Sequence, residues 1–242
     1  PVISFSFKDI KEKSFLNAYA GIANIIAELY REHHYLLTSR ALLESERAVY
    51  ESILQQTATP TNLKSSLKKL VTYLYRHHDK KVVVLIDEYD TPIQSGYLCD
   101  YYEDVIDFFH AFFGAALKDN KHIFKAVLTG ILRVAKENLF SSLNNLTSYS
   151  MLDEQYSAYF GFTEMEVEAI IKQAKLSDQL DKIKAWYNGY QAGSQIIYNP
   201  WSIANYVKMR KLKLYWVNTS DNKLVKSLLI NSSADIKDDL NA

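Results

Sequence analysis

The stretch Val82-Val83-Val84-Leu85-Ile86-Asp87-Glu88-Tyr89-Asp90-Thr91-Pro92 decides how the first part of this chain folds. Its first five residues are apolar and mostly β-branched, without the polar alternation of a half-exposed strand. Such a run predicts a strand buried on both faces, which is typical of a parallel sheet with helices on either side. The carboxylates of Asp87 and Glu88 follow directly. Asp90 is interpreted as the start of a turn, because Pro92 predicts a loop.

The segments around this strand alternate between strand and helix patterns. Residues 2–7 alternate apolar and polar side chains, and residues 123–128 form a second apolar run, so both predict strands. Apolar residues spaced by three and four positions predict helices between the strands. These helices cover residues 15–30, 45–55, 63–74 and 105–116, with a loop over residues 57–62. The alternation predicts an α/β domain with a parallel sheet.

Helical signals dominate after Gly130. Residues 135–143 predict a short helix. Thr163 and Glu166 form a capping box ahead of a second helix, and Asn199-Pro200 supplies an N-cap and a first-turn proline for a third. The predicted units are an α/β core over residues 1–150 and a smaller, mainly helical C-terminal subdomain over residues 151–242.

Composition excludes several classes of protein. The 28 Lys and Arg residues balance the 28 Asp and Glu residues, which argues against a nucleic-acid-binding surface over the whole chain. The longest apolar stretch, residues 111–117, is far shorter than the roughly 20 residues that a membrane helix needs, so no membrane partner is expected. Cys99 is the only cysteine, which excludes an intrachain disulfide and a cysteine-cluster zinc site and favours a cytoplasmic location.

The acidic pair Asp87-Glu88 is the best candidate for chemistry. An ionised carboxylate at the end of a buried strand needs solvent, a cation or hydrogen-bond donors. In open α/β sheets, ligands bind outside the carboxyl ends of the strands. A Mg²⁺ ion carried by a nucleoside triphosphate suits Asp87, and Glu88 is placed to polarise an attacking water. The alternative interpretation is an ordinary strand end with solvated acids.

The second predicted strand adds two polar residues to this edge. If the two strands are parallel neighbours, Thr129 lies beside Asp87, and Arg133 follows in the next turn. A hydroxyl and a guanidinium there suit a terminal phosphate. The alternative is that Thr129 belongs to a strand-ending turn and that Arg133 is solvated. A phosphate-cradling loop of the form G-x-x-x-x-G-K-[ST] is missing, because none of the seven glycines is followed by lysine.

Other candidates are less specific. The pairs His33-His34 and His77-His78 fall at predicted helix ends, where helix capping is a better explanation than metal binding. The aromatic group around residues 186–190 suits either base stacking or a domain core. The basic residues between 208 and 213 are interpreted as a solvated face.

Two segments, Val84–Pro92 and Leu128–Ile131 followed by Arg133, resemble the AAA-ATPase-like family. Further similar segments are spread over nearly the whole chain, at residues 1–3, 139–145, 161–167, 187–190, 198–202 and 215–220. The resemblance implies a P-loop NTPase core followed by a helical lid-like region, in a bacterial or archaeal protein.

The resemblance also implies roles for individual residues. Residues 82–88 become the Walker B strand, with Asp87 at Mg²⁺ and Glu88 as the water-polarising residue. Thr129 and Arg133 occupy the sensor strand and the turn after it. The implied substrate is ATP, bound with Mg²⁺.

Family members carry the Walker A loop upstream of the segment that matches Pro1, so the sequence is interpreted as an N-terminally truncated piece or a degenerate copy. Mg²⁺-dependent ATP hydrolysis is then expected of the full-length parent. The alternative is a non-catalytic pseudo-NTPase module that binds protein or DNA. A phosphate loop within roughly fifty to seventy preceding residues favours the enzyme. Many members also carry a C-terminal nuclease-like domain, which makes DNA a partner by family analogy alone.

Overall fold

The computed structural model describes residues 1–131, 139, 146–187 and 189–216. The chain divides into two compact units, Pro1–Leu146 and Thr147–Ala242, each with its own hydrophobic core. Most of the short helix predicted over residues 135–143 lies outside the described residues, as does Arg133.

The first unit combines a parallel sheet with a set of helices. Its strands are β1 (Val2–Ser6), β2 (Val82–Asp87) and β3 (Ile123–Leu128), in the order β1-β2-β3. Its helices are α1 (Phe15–Glu32), α2 (Glu44–Leu54), α3 (Pro60–Lys64), α4 (Ser66–His78), α5 (Thr91–Leu98) and α6 (Tyr102–Leu117), with a 3-10 helix at His34–Thr38. The predicted α/β domain with a parallel sheet is therefore confirmed.

The register of the sheet brings the strand ends to one edge. Ser6 pairs with Asp87, and Ile86 pairs with Leu128, with all three strands running in the same direction. Parallel strands place their carboxyl ends together, so the residues that follow β2 and β3 are neighbours in space. This register positions the candidate site.

The core of the first unit lies on one face of the sheet. Ile3, Val84 and Ile86 are buried on that face together with apolar residues of α1, α4 and α6. On the opposite face Leu85 is 37% exposed and Val127 is 43% exposed. The prediction that the run 82–86 is buried on both faces is therefore wrong, because alternate residues of a strand point to opposite faces and, among the described residues, the core cluster fills only one.

Two prolines begin helices where the sequence predicts loops. Pro60 lies in the first turn of α3, whose N-cap Thr59 accepts a hydrogen bond from the Asn62 amide at 3.3 Å. Pro92 lies in the first turn of α5, immediately after the acidic residues. Proline lacks an amide proton, and the first turn of a helix does not need one, so proline is compatible with a helix start. The predictions of loops at these positions are wrong.

The second unit packs helices with a small antiparallel sheet. Strands β4 (Phe162–Thr163), β5 (Tyr190–Ala192) and β6 (Gln195–Tyr198) are ordered β4-β6-β5, and the helices are α7 (Glu164–Gln173), α8 (Leu180–Trp186) and α9 (Pro200–Met209). Both predicted caps are confirmed: the Glu166 carboxylate accepts from the Thr163 amide at 2.8 Å, and Asn199 accepts from the Ser202 amide at 3.0 Å. Over the described ranges, none of the helices has the length and apolar character needed to cross a bilayer.

Candidate functional site

Asp87 and Thr129 meet at the carboxyl ends of neighbouring strands. Asp87 is the last residue of β2, and Thr129 directly follows β3. The Thr129 hydroxyl donates a hydrogen bond to Asp87 Oδ1 at 2.5 Å. Both residues are exposed. The prediction that Thr129 lies beside Asp87 is confirmed, and the pair presents a hydrogen-bonded carboxylate to solvent.

Glu88 has an unusual backbone conformation next to this pair. Its φ is 50°, in the left-handed region, which costs a residue with a Cβ about 1–2 kcal/mol. Its Oε2 accepts from the Thr91 hydroxyl at 3.2 Å, and its carbonyl accepts from the Thr91 amide at 3.1 Å. The half-buried Glu88 carboxylate is therefore held against the first turn of α5, one residue after Asp87.

Backbone hydrogen bonds continue the sheet beyond the ends of its strands. The Thr129 amide donates to Ile86 O at 2.9 Å, and the Tyr89 amide donates to Thr129 O at 3.1 Å. On the other side of β2, the Phe7 amide donates to Asp87 O at 3.0 Å. These bonds fix the backbone on both sides of Asp87, which limits how far its carboxylate can move.

Asp90 ties the loop after β2 to the loop after β3. It is 1% exposed. Its Oδ2 accepts from the Gln94 side-chain amide at 2.7 Å and from the Ile131 backbone amide at 3.0 Å. A buried carboxylate needs such donors, and hydrogen bonds to charged groups are stronger than neutral ones. We call Asp90, Gln94, Gly130 and Ile131 the Asp90 lock.

Gly130 completes the Asp90 lock through its missing side chain. A Cβ at this position would lie 2.4 Å from Asp90 Oδ1 and 3.1 Å from Tyr89 Cε1. The close approach of the two loops therefore requires glycine here. Sequence reasoning missed this role, because it interpreted Asp90 only as the start of a turn. The sequence signal for this contact is an acidic residue, Asp90, shortly after one predicted strand and a glycine, Gly130, shortly after the next.

The side chains at this edge fit a magnesium ion. Asp87, Glu88 and Thr129 offer only oxygen atoms, which Mg²⁺ prefers. In the ranges that the structure describes, no group of three or more His, Cys, Asp or Glu side chains is arranged to hold a metal. Mg²⁺ sites that handle phosphates use one or two carboxylates, with waters and phosphate oxygens as the remaining ligands. The donor set is therefore compatible with Mg²⁺ bound together with a phosphate compound.

The weaker candidates fall elsewhere. His33 caps the carboxyl end of α1, and His77 and His78 lie in the last turn of α4. These positions agree with the prediction that both histidine pairs fall at helix ends. In the second unit Tyr187 belongs to the core, whereas Trp186 and Trp201 are half exposed. Arg133 lies outside the described residues, so its predicted contact with a phosphate stays a prediction.

Comparison with known proteins gives a family match for most of the first unit. A family model described as "Predicted AAA-ATPase" matches residues 1–140, more than half of the chain. The chain belongs to the AAA-ATPase-like family. The matched range contains β1, β2 and β3 together with the Asp87–Thr129 pair and the Asp90 lock.

A curated relative extends the similarity toward the second unit. A protein from Azotobacter chroococcum mcd 1, named "Uncharacterized protein in vnfD 5'region", is 29% identical over 187 residues. The match covers 77% of this chain and 36% of that relative. The chain thus spans about a third of the length of the relative that it matches. No solved structure matches the chain.

Proposed function

We propose that Asp87, Glu88 and Thr129 form the magnesium side of an ATP-hydrolysing site. The hydrogen bond between Thr129 and Asp87 carries this proposal, because it places a solvent-facing carboxylate where open α/β sheets bind their ligands. Membership of the AAA-ATPase-like family supports a nucleotide as the ligand. ATP as the nucleotide, and its hydrolysis, belong to the proposal.

Asp87 is the proposed ligand of the metal. The Thr129 hydroxyl donates a hydrogen bond to Oδ1 of Asp87 and thereby orients the carboxylate before a metal ion binds. Asp87 would hold the Mg²⁺, which would supply positive charge to stabilise the phosphate during hydrolysis. The Asp90 lock keeps the Thr129 loop in place and thereby supports that orientation.

Glu88 is the proposed residue that orients the attacking water. Its carboxylate is held by the Thr91 hydroxyl through Oε2, which leaves Oε1 to accept a hydrogen bond from water. The left-handed backbone of Glu88 is a strained feature of the kind that clusters at active sites. Arg133 is the proposed cation for the terminal phosphate, as the family resemblance implies.

The phosphate side of the site is not encoded in these 242 residues. No glycine precedes lysine in the sequence, so the proposal assigns the loop that would cradle the phosphates to a segment outside these residues. We therefore expect the 242-residue chain alone to bind Mg·ATP weakly. A saturable rise in its melting temperature on titration with Mg·ATP would contradict this expectation.

The direct test is ATP hydrolysis by the gene product that contains these residues. Asp87→Asn should lower Mg²⁺-dependent turnover by about 10²–10³-fold, because the metal ligand loses its charge. Glu88→Gln should keep ATP binding and slow hydrolysis by about 10²–10⁴-fold. Asp107→Asn, at an exposed acid of α6, is the matched control and should leave turnover unchanged.

The outcome separates an enzyme from a binding module. Normal turnover in both site variants would exclude these roles for Asp87 and Glu88. A wild-type protein that binds protein or DNA but does not hydrolyse ATP, even with a phosphate loop upstream, would favour the pseudo-NTPase alternative.

A further inference from the structure

A second polar site lies at the opposite end of β2. A cleft of about 530 Å³ is lined by Ser39, Arg40, Ala41, Leu43, Arg76 and His77. Arg76 and His77 belong to the last turn of α4, which leads into the amino end of β2, whereas Asp87 is at its carboxyl end. Because a strand rises about 3.3 Å per residue, the six residues of β2 separate this amino-end cleft from the Asp87 site.

Arg40 provides an uncommitted positive charge at the amino-end cleft. It is exposed, and in the part of the chain that the structure describes it makes no hydrogen bond or ion pair. A guanidinium carries five N–H donors in a planar fork that matches phosphate and carboxylate groups. Arg40 therefore brings both charge and donors to the cleft without losing an internal contact.

Arg76 and Glu46 form an ion pair at the wall of the cleft. Arg76 Nη1 donates to Glu46 Oε2 at 2.8 Å and to Oε1 at 3.0 Å. Glu46 Oε2 also accepts from the Leu43 amide at 2.9 Å, so this carboxylate is used within the protein. Only one nitrogen of Arg76 takes part in the pair, which leaves the other nitrogens of its guanidinium as donors.

Ser39 and His77 share a hydrogen bond at the cleft. The Ala41 amide donates to Ser39 Oγ at 3.0 Å, and this hydroxyl lies 2.7 Å from His77 Nδ1, to which it donates in one of the two imidazole tautomers. With Nδ1 as acceptor, the neutral imidazole carries its proton on Nε2. His77 then adds an N–H donor to those of Arg40 and Arg76.

We propose that the amino-end cleft binds a phosphate group. Its polar side chains are those of Arg40, Arg76, His77 and Ser39, and the Glu46 carboxylate beside it is already paired. Arginine forks bind phosphate through parallel, charge-assisted hydrogen bonds. Ala41 and Leu43 add apolar lining for the organic part of a phosphorylated compound. This site does not depend on the proposed ATPase activity, because it shares no residue with the Asp87 site.

The proposal is tested by calorimetric titration of the 242-residue chain with inorganic pyrophosphate. We expect saturable binding that Arg40→Ala weakens by about tenfold, the size expected for a charge-assisted hydrogen bond. Arg31→Ala is the matched control, because Arg31 is an exposed arginine of α1 that does not line the cleft. The affinity of this variant for pyrophosphate should stay within about twofold of the wild type, because Arg31 does not line the cleft.

A second variant tests the role of Arg76. Glu46→Gln removes the competing charge and keeps an oxygen for the Leu43 amide, so pyrophosphate should bind several-fold more tightly. A single-stranded oligothymidylate, titrated in parallel, separates two sources of phosphate. Preference for pyrophosphate indicates a free phosphate compound, and tighter oligonucleotide binding that is lost in Arg40→Ala indicates a nucleic-acid backbone.

Two results would overturn the proposal. One is the absence of saturable binding for both probes. The other is an equal loss of affinity in Arg40→Ala and Arg31→Ala, since that would show attraction to the general charge of the surface. Melting curves of each variant without ligand confirm that the comparison is made between folded proteins.

Discussion

The two ends of strand β2 differ in charge and in their contacts. At the carboxyl end, acidic residues lie in a loop that is held by hydrogen bonds. At the amino end, the strand follows helix α4, which ends in arginine and histidine. Around Asp87, backbone bonds and the Asp90 lock hold the chain on both sides. Around Arg76, the contacts are made by exposed or partly exposed side chains. One strand therefore supports a hydrogen-bonded acidic edge at one end and a more exposed basic edge at the other.

The difference has a physical origin. A carboxylate that must hold a metal gains from a fixed position, because the ion is bound only when several oxygens converge. Long arginine side chains lose more conformational entropy when they are ordered, so we expect those at the amino end to become ordered only when a ligand binds. Substitutions at the two ends should therefore differ in how strongly they affect stability.

The largest effect on stability is expected from Gly130→Ala. The added Cβ would lie 2.4 Å from Asp90 Oδ1, and the carboxylate cannot move without losing its donors. We expect a loss of about 1–3 kcal/mol in the free energy of unfolding, measured by urea denaturation of the 242-residue chain.

The matched control is Gly21→Ala in α1. There the new Cβ meets only the tip of a side chain, Ile10 Cδ1 at 2.7 Å, and alanine favours the helix. Its stability should stay within about 1 kcal/mol of the wild type. Equal losses in the two variants would contradict the rigid carboxyl end.

A smaller loss in the free energy of unfolding is expected from Asp90→Asn. Asparagine has nearly the same shape but lacks the charge that strengthens the hydrogen bonds from Gln94 and Ile131. The expected cost is about 1–2 kcal/mol by urea denaturation, and Asp107→Asn on the surface of α6 should cost almost nothing. If Asp90→Asn is as stable as the wild type, the carboxylate does not hold the two loops together.

The smallest expected effect on stability is its dependence on acidic pH, and it comes from His33 near the amino end of β2. Burial lowers the pKa of His33 below its ordinary value of 6.5, and nearby His78 lowers it further, although Glu32 opposes the shift. Its Nε2 is buried without a hydrogen-bond partner among the described residues, and its Nδ1 contacts the Tyr35 hydroxyl at 3.4 Å. The unfolded chain therefore binds a proton at this position more readily than the folded chain does.

Stability should consequently fall as the pH drops below about 6.5, toward the lowered pKa of His33. Melting temperatures at pH 7.5 and 5.5 measure the effect. His33→Gln should reduce the drop in melting temperature between pH 7.5 and pH 5.5. His34→Gln, at an exposed position, should not change this drop. An identical loss in both variants would exclude His33 as a source of the acid sensitivity.

The site at the carboxyl end of β2 could largely be predicted from the sequence, whereas the cleft at its amino end could not. Two apolar strands that end in Asp87 and Thr129 imply a contact as soon as the strands are parallel neighbours. The Asp90 lock depends on loop geometry that no periodic pattern encodes. The amino-end cleft joins residues 39–43 to residues 76–77, and only the packing of α4 brings these segments together. The exposure of Leu85 depends on where the helices pack, which a run of apolar residues does not specify.

The central claim is that Asp87 binds the metal of a nucleotide complex, and Mn²⁺ binding monitored by electron paramagnetic resonance tests it most directly. The titration uses the gene product that contains these residues, in the presence of ATP, with Asp107→Asn as the control variant. We predict that Asp87→Asn weakens the binding of Mn²⁺ in the protein–nucleotide complex by at least about tenfold, while the control matches the wild type. Equal Mn²⁺ affinity in the wild type and in Asp87→Asn would contradict the account.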